Sequence, residues 1–109
     1  MKFVLFTFVN MEKSALFTQL YKDYNSFKNQ EISGRYIRQK DIQLLLDKLG
    51  EEFSLKEIGA SVLGKPIHSI QFGKGTIKIL AWSQMHGNES TTTKAVFDLL
   101  NYMNKYKES

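Results

Sequence analysis

The spacing of apolar residues along this chain predicts both helices and strands. Apolar residues spaced three and four apart predict helices at residues 15–27, 38–50 and 90–106. Short apolar segments between Gly, Pro and polar residues predict strands at residues 53–59, 67–72 and 77–82. The predicted order is therefore two helices, three strands and a final helix.

The second predicted helix has the clearest pattern. Its apolar face consists of Ile42, Leu45, Leu46 and Leu49. Asp41 lies in the first turn, where a carboxylate suits the positive end of the helix dipole. Gly50 is expected to end the helix as its C-cap.

The first predicted helix carries an aromatic face, with Phe17, Tyr21 and Tyr24 at helical spacing. Such a face either packs against the rest of the protein or lines a ligand site. We expect these residues to belong to the core or to a packing face, because amphipathic helices of globular proteins commonly bury one side.

The third predicted strand, residues 77–82, is apolar at every position except Lys78. This pattern is typical of a strand that is covered on both faces. A polar turn follows at residues 84–88. The threonines at residues 91–93 are poor helix formers and good caps, so the last helix is expected to begin among them.

The turn holds His86 and, three residues later, Glu89. Zinc binds histidine nitrogen and carboxylate oxygen, and a catalytic zinc usually has three protein ligands and a water molecule. If Gly87 allows a tight turn, the two side chains can converge on one point at the C-terminal end of a strand, where open α/β sheets build their sites. In the alternative interpretation, Glu89 caps the helix and His86 is an ordinary loop residue.

The composition limits the chemistry that the chain can carry. Its 109 residues are enough for one domain, and the absence of cysteine excludes disulfides, thiolate zinc ligands and a thiol nucleophile. The other histidine, His68, falls in a predicted strand and is expected to be a core or surface residue. The net charge of +4 comes from scattered basic residues, which predicts a solvated surface, with nucleic-acid binding as the alternative.

Residues 1–14 are interpreted as an N-terminal leader or extension. The apolar segment at residues 3–9 has the minimum length of a signal-peptide core, but Glu12 and Lys13 follow at once, without a small-residue cleavage site. A buried strand or a non-native start is the interpretation that we favour over a signal peptide for this segment, which is too short to span a bilayer. We expect a cytoplasmic protein, or a secreted one if these residues are a leader.

Two segments resemble the zinc carboxypeptidase family, the carboxypeptidase A-like fold. They are Gly64-Lys65-Pro66-Ile67 at the entry to the second strand and the turn His86-Gly87-Asn88-Glu89, and their separation also matches that family. The resemblance covers residues 31–106 by inspection. It implies an α/β fold over residues 15–109, as the N-terminal portion of a mixed, mostly parallel sheet flanked by helices. It also implies that His86 and Glu89 are two of three zinc ligands.

Other groups of the family's site have no counterpart in this sequence. The second histidine ligand, the substrate-binding arginine and asparagine and the general-base glutamate all lie downstream of the matching residues, so no catalytic residue is assigned in this chain. Asn88 stands where the pancreatic branch carries arginine. The His-Gly-Asn-Glu form is shared with deacylases of the succinylglutamate desuccinylase and aspartoacylase kind, which leaves two reaction classes open.

The resemblance implies a zinc-dependent metallocarboxypeptidase that hydrolyses C-terminal peptide bonds, here as a truncated catalytic domain. In the alternatives, the chain belongs to a zinc-dependent amide deacylase, or it is a non-catalytic remnant that binds no metal. The substrate would be a peptide or a small amide, and neither nucleic acid nor a membrane would be a partner. Because the third ligand and the base are missing, we expect the 109 residues alone to be inactive.

Overall fold

The computed structural model describes residues 2–3 and 13–106. In this part of the chain the elements are β1 (Lys2–Phe3), α1 (Lys13–Phe27), α2 (Gln39–Leu46), β2 (Ser54–Ala60), β3 (Pro66–Gln71), β4 (Leu80–Ala81) and α3 (Thr91–Lys105). The mixed α/β composition and the order of the six predicted elements are confirmed. No helix within the described ranges is long and apolar enough to cross a membrane.

The core lies where α2, β3 and α3 meet. Phe97 and Leu100 of α3 and Ile70 of β3 are almost fully buried. The buried apolar cluster comprises Ile32, Ile37, Leu45, Leu46, Phe53, Ile70, Val96, Phe97, Leu100 and Met103. Removing these side chains from water is the main favourable contribution to folding.

The second helix is shorter than predicted. α2 ends at Leu46, so the expectation that Gly50 caps it is wrong. Beyond this point, Lys48 N–H donates to Leu45 O at 3.3 Å and Leu49 N–H donates to Leu46 O at 3.2 Å. These bonds reach back three residues, as in a 3₁₀ turn. The tighter turn keeps Leu49 against the core, which explains why the apolar period continues beyond the helix.

β2 and β3 form an antiparallel hairpin, with Ser54 opposite Gln71 and Ala60 opposite Pro66. The connection includes Gly64 at φ 69°, a backbone conformation that glycine adopts without steric penalty. The segment between the first two predicted strands is therefore the connection of this hairpin.

The third predicted strand is reduced to the two residues of β4, which pair antiparallel with β1. The expectation that residues 77–82 are covered on both faces is wrong, because Ile77 is 72% and Trp82 is 51% exposed. The physical reason is that the buried apolar cluster lies around α2, β3 and α3, whereas β1 pairs with β4 edge to edge within the sheet and leaves the faces of residues 77–82 without a packed layer. Both strand pairs in the described ranges are antiparallel, and parallel pairing is not seen between these strands.

β1 places Lys2 and Phe3 beside β4, with Lys2 opposite Ala81 and Phe3 opposite Leu80. The interpretation of residues 1–14 as a leader or an extension falls mainly on residues 4–12, which lie outside the described ranges. That interpretation therefore stays a prediction.

α1 is joined to α3 through its C-terminal half. Phe27 is buried, and its ring meets the Tyr102 ring edge-on with a centroid distance of 5.1 Å. The expected packing of the aromatic face is wrong for Phe17 and Tyr21, which are 69% and 87% exposed. The bonds between the two helices, such as that from the Tyr24 hydroxyl to Asp98, do not extend to the N-terminal half of α1.

Candidate metal half-site

The turn that carries the two predicted zinc ligands links β4 to α3. Glu89 N–H donates to His86 O at 3.0 Å and closes the turn. α3 begins at Thr91, with Ser90 at the N-cap position. Glu89 therefore lies directly before the last helix, as the sequence predicts.

The structure brings the two predicted ligands together. His86 Nδ1 and Glu89 Oε2 lie 2.9 Å apart, and the carboxylate accepts a hydrogen bond when the ring carries its proton on Nδ1. The side chains are 67% and 62% exposed, so an ion pair between them contributes at most about 1 kcal/mol to stability. Glu89 thus contacts the imidazole, in place of the helix-capping role that its position also allowed.

The donor atoms of this pair are closer together than two ligands of one zinc ion. Two ligands of a tetrahedral zinc, with bonds of about 2.0–2.2 Å, have donor atoms about 3.4 Å apart. The observed separation of 2.9 Å is that of a hydrogen bond. Both side chains are exposed, so a shared metal ion would require them to move apart by roughly 0.5 Å into solvent.

A third ligand is not found near this pair. Within residues 2–3 and 13–106, no group of three His, Cys, Asp or Glu residues could hold a metal ion. His68 lies in β3, opposite Glu57 in the hairpin, as predicted for a strand residue. It lines a cavity of about 380 Å³ to which Gln84 and Gly87 also contribute. This cavity adjoins the turn. The described residues that line it include neither of the two predicted ligands, and they contain no carboxylate and no histidine other than His68.

Gly87 and Asn88 are the central residues of the turn that Glu89 N–H closes on His86 O, so the chain does turn at Gly87. The left-handed backbone lies earlier, at Gln84. Gln84 has φ 52°, whereas Gly87 has no positive φ. The left-handed region costs a residue with a side chain roughly 1–2 kcal/mol. Gln84 adopts it because its backbone and side chain are held by hydrogen bonds to two other segments, α3 and the residues before α2.

The Ser/Thr cluster that was expected to cap α3 fastens the turn to the rest of the domain. Gln84 N–H donates to Thr92 Oγ1 at 3.1 Å, and Thr93 Oγ1 donates to Gln84 Oε1 at 2.8 Å. Ser90 Oγ donates to Arg35 O at 2.8 Å and makes no side-chain cap bond. The hydroxyl cluster was visible in the sequence, but its partners were not, because nothing local identifies them.

Comparisons with protein-family models, with curated proteins and with solved structures give no significant match. The interpretation of the turn as part of a metal site therefore depends on its residues and on the geometry of His86 and Glu89.

Proposed function

We propose that this chain is the N-terminal part of the catalytic domain of a zinc-dependent metallocarboxypeptidase, and that His86 and Glu89 provide two of its three zinc ligands. The supporting observation is the 2.9 Å approach of His86 Nδ1 to Glu89 Oε2 in a turn between a strand and a helix. A ligand pair must converge and be accessible to the metal. This pair meets both conditions.

The residues of this chain would bind and orient. When bound, zinc polarises a carbonyl group and lowers the pKa of its water molecule. Glu89 holds the imidazole of His86 so that both donor atoms face one point. Proton transfer requires a general base within hydrogen-bond reach, and the resemblance implies that this base and the third ligand follow the matching residues. The 109 residues alone would then bind metal weakly and have no hydrolase activity.

The proposal includes a larger sheet. Ile77 and Trp82 flank β4 and expose apolar side chains, as a strand does when its neighbours belong to another part of the protein. In a mixed, mostly parallel sheet flanked by helices, further strands would pair beside β4 and the helices would cover both faces. The ligand turn would then lie at the C-terminal end of a central strand, the usual position of sites in such sheets.

Two alternatives use the same turn. A zinc-dependent amide deacylase would place the same ligand pair beside a small amide. Hydrolysis of peptides with a free C-terminal carboxylate, compared with hydrolysis of N-acyl amino acids, separates the two enzymes in a protein that contains the remaining ligand and base. A non-catalytic remnant would keep the turn and bind no metal. We also propose that the protein is cytoplasmic, with secretion as the alternative if residues 1–14 are a leader.

Zinc titration of the 109-residue chain, followed by NMR, tests the ligand assignment. We expect resonances of His86 and Glu89 to shift with a dissociation constant weaker than micromolar, because two ligands are fewer than a protein zinc site normally has. His86→Ala and Glu89→Gln should each abolish these shifts. His68→Ala is the matched control and should leave them unchanged, because His68 lies in β3.

Three results would contradict the proposal in different ways. Zinc binding that persists in His86→Ala, or that requires His68, would place the metal elsewhere. Submicromolar binding at a single site would mean that the chain supplies more than two ligands. A complete absence of binding would favour the non-catalytic remnant.

A further inference from the structure

Gln84 combines an unusual backbone with a fully engaged side chain. Among the described residues other than glycine, Gln84 is the one whose φ is positive, at 52°. Such a conformation persists when the surrounding structure fixes it, and it occurs more often at functional sites. Gln84 lies two residues before His86, which directs attention to its bonds.

The side-chain amide of Gln84 connects three separate segments. Nε2 donates to Ile37 O at 3.2 Å and to Gly87 O at 2.8 Å. Oε1 accepts from Thr93 Oγ1 at 2.8 Å, and Thr93 is completely buried. Both amide hydrogens are therefore used, one on the segment before α2 and one on the turn, while the carbonyl oxygen is anchored to α3.

The bond to Gly87 is the one that reaches the ligand pair. Gly87 lies between His86 and Glu89, and its carbonyl group belongs to the central peptide of the turn that joins them. A bond to this carbonyl therefore restrains the turn from which both side chains project. We propose that Gln84 is a positioning residue, which holds His86 and Glu89 in the orientation where Nδ1 meets Oε2. Its role toward zinc rests on the proposed function, whereas its effect on the pair does not require a metal.

The chemistry of the amide explains why glutamine suits this position. The two carbonyl acceptors, on Ile37 and Gly87, require two donors, and the hydroxyl of Thr93 requires an acceptor. Glutamate offers no donor when ionised, and asparagine is shorter by one methylene group. Glutamine satisfies all three partners from one side chain.

The experiment measures which nitrogen of the neutral His86 ring carries the proton, by ¹⁵N NMR in metal-free protein at alkaline pH. In the wild type we expect an excess of the Nδ1–H form relative to the denatured chain, because Glu89 Oε2 accepts from Nδ1. Gln84→Gly removes the amide and keeps a residue that tolerates the left-handed backbone. This variant should lose the excess while backbone spectra show an intact fold.

A second pair of variants keeps the test valid if Gln84→Gly perturbs the fold. Thr93→Val removes the hydroxyl that anchors Gln84 Oε1 and keeps a similar volume, and we expect it to reduce the Nδ1–H excess. Thr93→Ser retains the hydroxyl and should preserve it. The ring of His68, in β3, is an internal reference that should not change in any variant.

The inference is overturned if the wild type has no Nδ1–H excess, or if folded Gln84→Gly retains it. Failure of the proposed function is distinguishable, because it would appear as absent zinc binding with the Nδ1–H excess and its dependence on Gln84 both intact. Loss of the excess in Thr93→Val together with its retention in Thr93→Ser supports the inference.

Discussion

Single residues fix the ends of the elements in this fold, and Asp41 does so at the start of α2. Its Oδ2 accepts from Arg38 N–H at 2.9 Å and from Arg38 Nε at 3.1 Å. Hydrogen bonds from the Arg38 side chain, and next from its backbone, hold the pKa of Asp41 below its usual value. A carboxyl group whose pKa is lowered by folding stabilises the fold above its unfolded pKa, and this contribution is lost as the pH falls through the folded pKa.

We therefore expect Asp41→Asn to lower the melting temperature by a few degrees at neutral pH. The difference from the wild type should disappear in acid, as the pH falls from the ordinary aspartate range through the lower folded pKa. Circular dichroism melts at a series of pH values measure this. Asp47→Asn, at the C-terminal end of the same helix, is the matched control and should not be destabilising, because a negative charge is unfavourable there. A difference for Asp41→Asn that persists in strong acid would contradict the assignment.

At the scale of elements, α1 is held against α3 by a small set of polar contacts around Asp98. Asp98 Oδ2 accepts from the Tyr24 hydroxyl at 2.9 Å, and Asp98 Oδ1 accepts from Asn29 N–H at 2.6 Å. The bond to Asp98 raises the pKa of Tyr24.

Asn101 Nδ2 donates to Phe27 O and the Tyr106 hydroxyl donates to Asp23 Oδ2, each at 3.0 Å. Since Phe27 is the buried residue of α1 among those described, we expect these polar contacts, with Asp98 at their centre, to contribute to ordering the helix.

Asp98→Ala should release α1 while the rest of the domain stays folded. Hydrogen exchange of the α1 amides is expected to accelerate by about tenfold or more, because two hydrogen bonds to a charged acceptor are lost. Amides of α2 and β3 should keep their protection. Tyr24→Phe removes one of the two bonds and should show a smaller change confined to the same helix. Uniform acceleration across the chain would instead mean that α1 unfolds with the core.

The sequence predicted the existence and order of the elements better than their ends. Periodicity identified α2 and α3 because Leu45, Leu46 and Leu100 are buried where the pattern requires. It placed the end of α2 too late, because Leu49 continues the apolar period from a 3₁₀ turn.

In the site, the spacing of His86 and Glu89 allowed their side chains to converge if the chain turned tightly at Gly87, and the structure brings them to 2.9 Å. The support by Gln84 could not be predicted, because its partner Ile37 lies 47 residues away. The same limit applies to residues 77–82, where an apolar run is found without the covering layer that such runs usually have.

At the scale of the whole molecule, one group of exposed apolar side chains lies in and beside β4, and others lie in α1 and in the hairpin connection. The exposed fractions are 72% for Ile77, 38% for Ile79, 46% for Leu80, 51% for Trp82 and 67% for Met85. A contiguous apolar segment next to an open strand edge promotes association between chains. We expect the isolated 109 residues to be marginally stable and prone to aggregation.

Ile79→Lys should reduce this aggregation, measured by light scattering at increasing protein concentration. A charge on the strand opposes edge-to-edge pairing, and the melting temperature should change little because the side chain is partly exposed. Leu63→Lys, in the hairpin connection, is the matched control, since Leu63 is an exposed aliphatic residue away from β4. A cooperative melt of the wild-type monomer at high temperature, or an equal benefit from both variants, would contradict the prediction.

The bond from Gln84 to Ile37 O has a consequence for the order in which the molecule forms. It spans 47 residues, so the chain must close a long loop before the bond can exist, and such contacts are slow to form. His86 and Glu89 are near neighbours in sequence, yet the residue proposed to position them depends on the segment before α2 and on α3. We therefore expect folding of the domain to assemble the contact between the two side chains, and a short peptide with the same turn sequence to lack it.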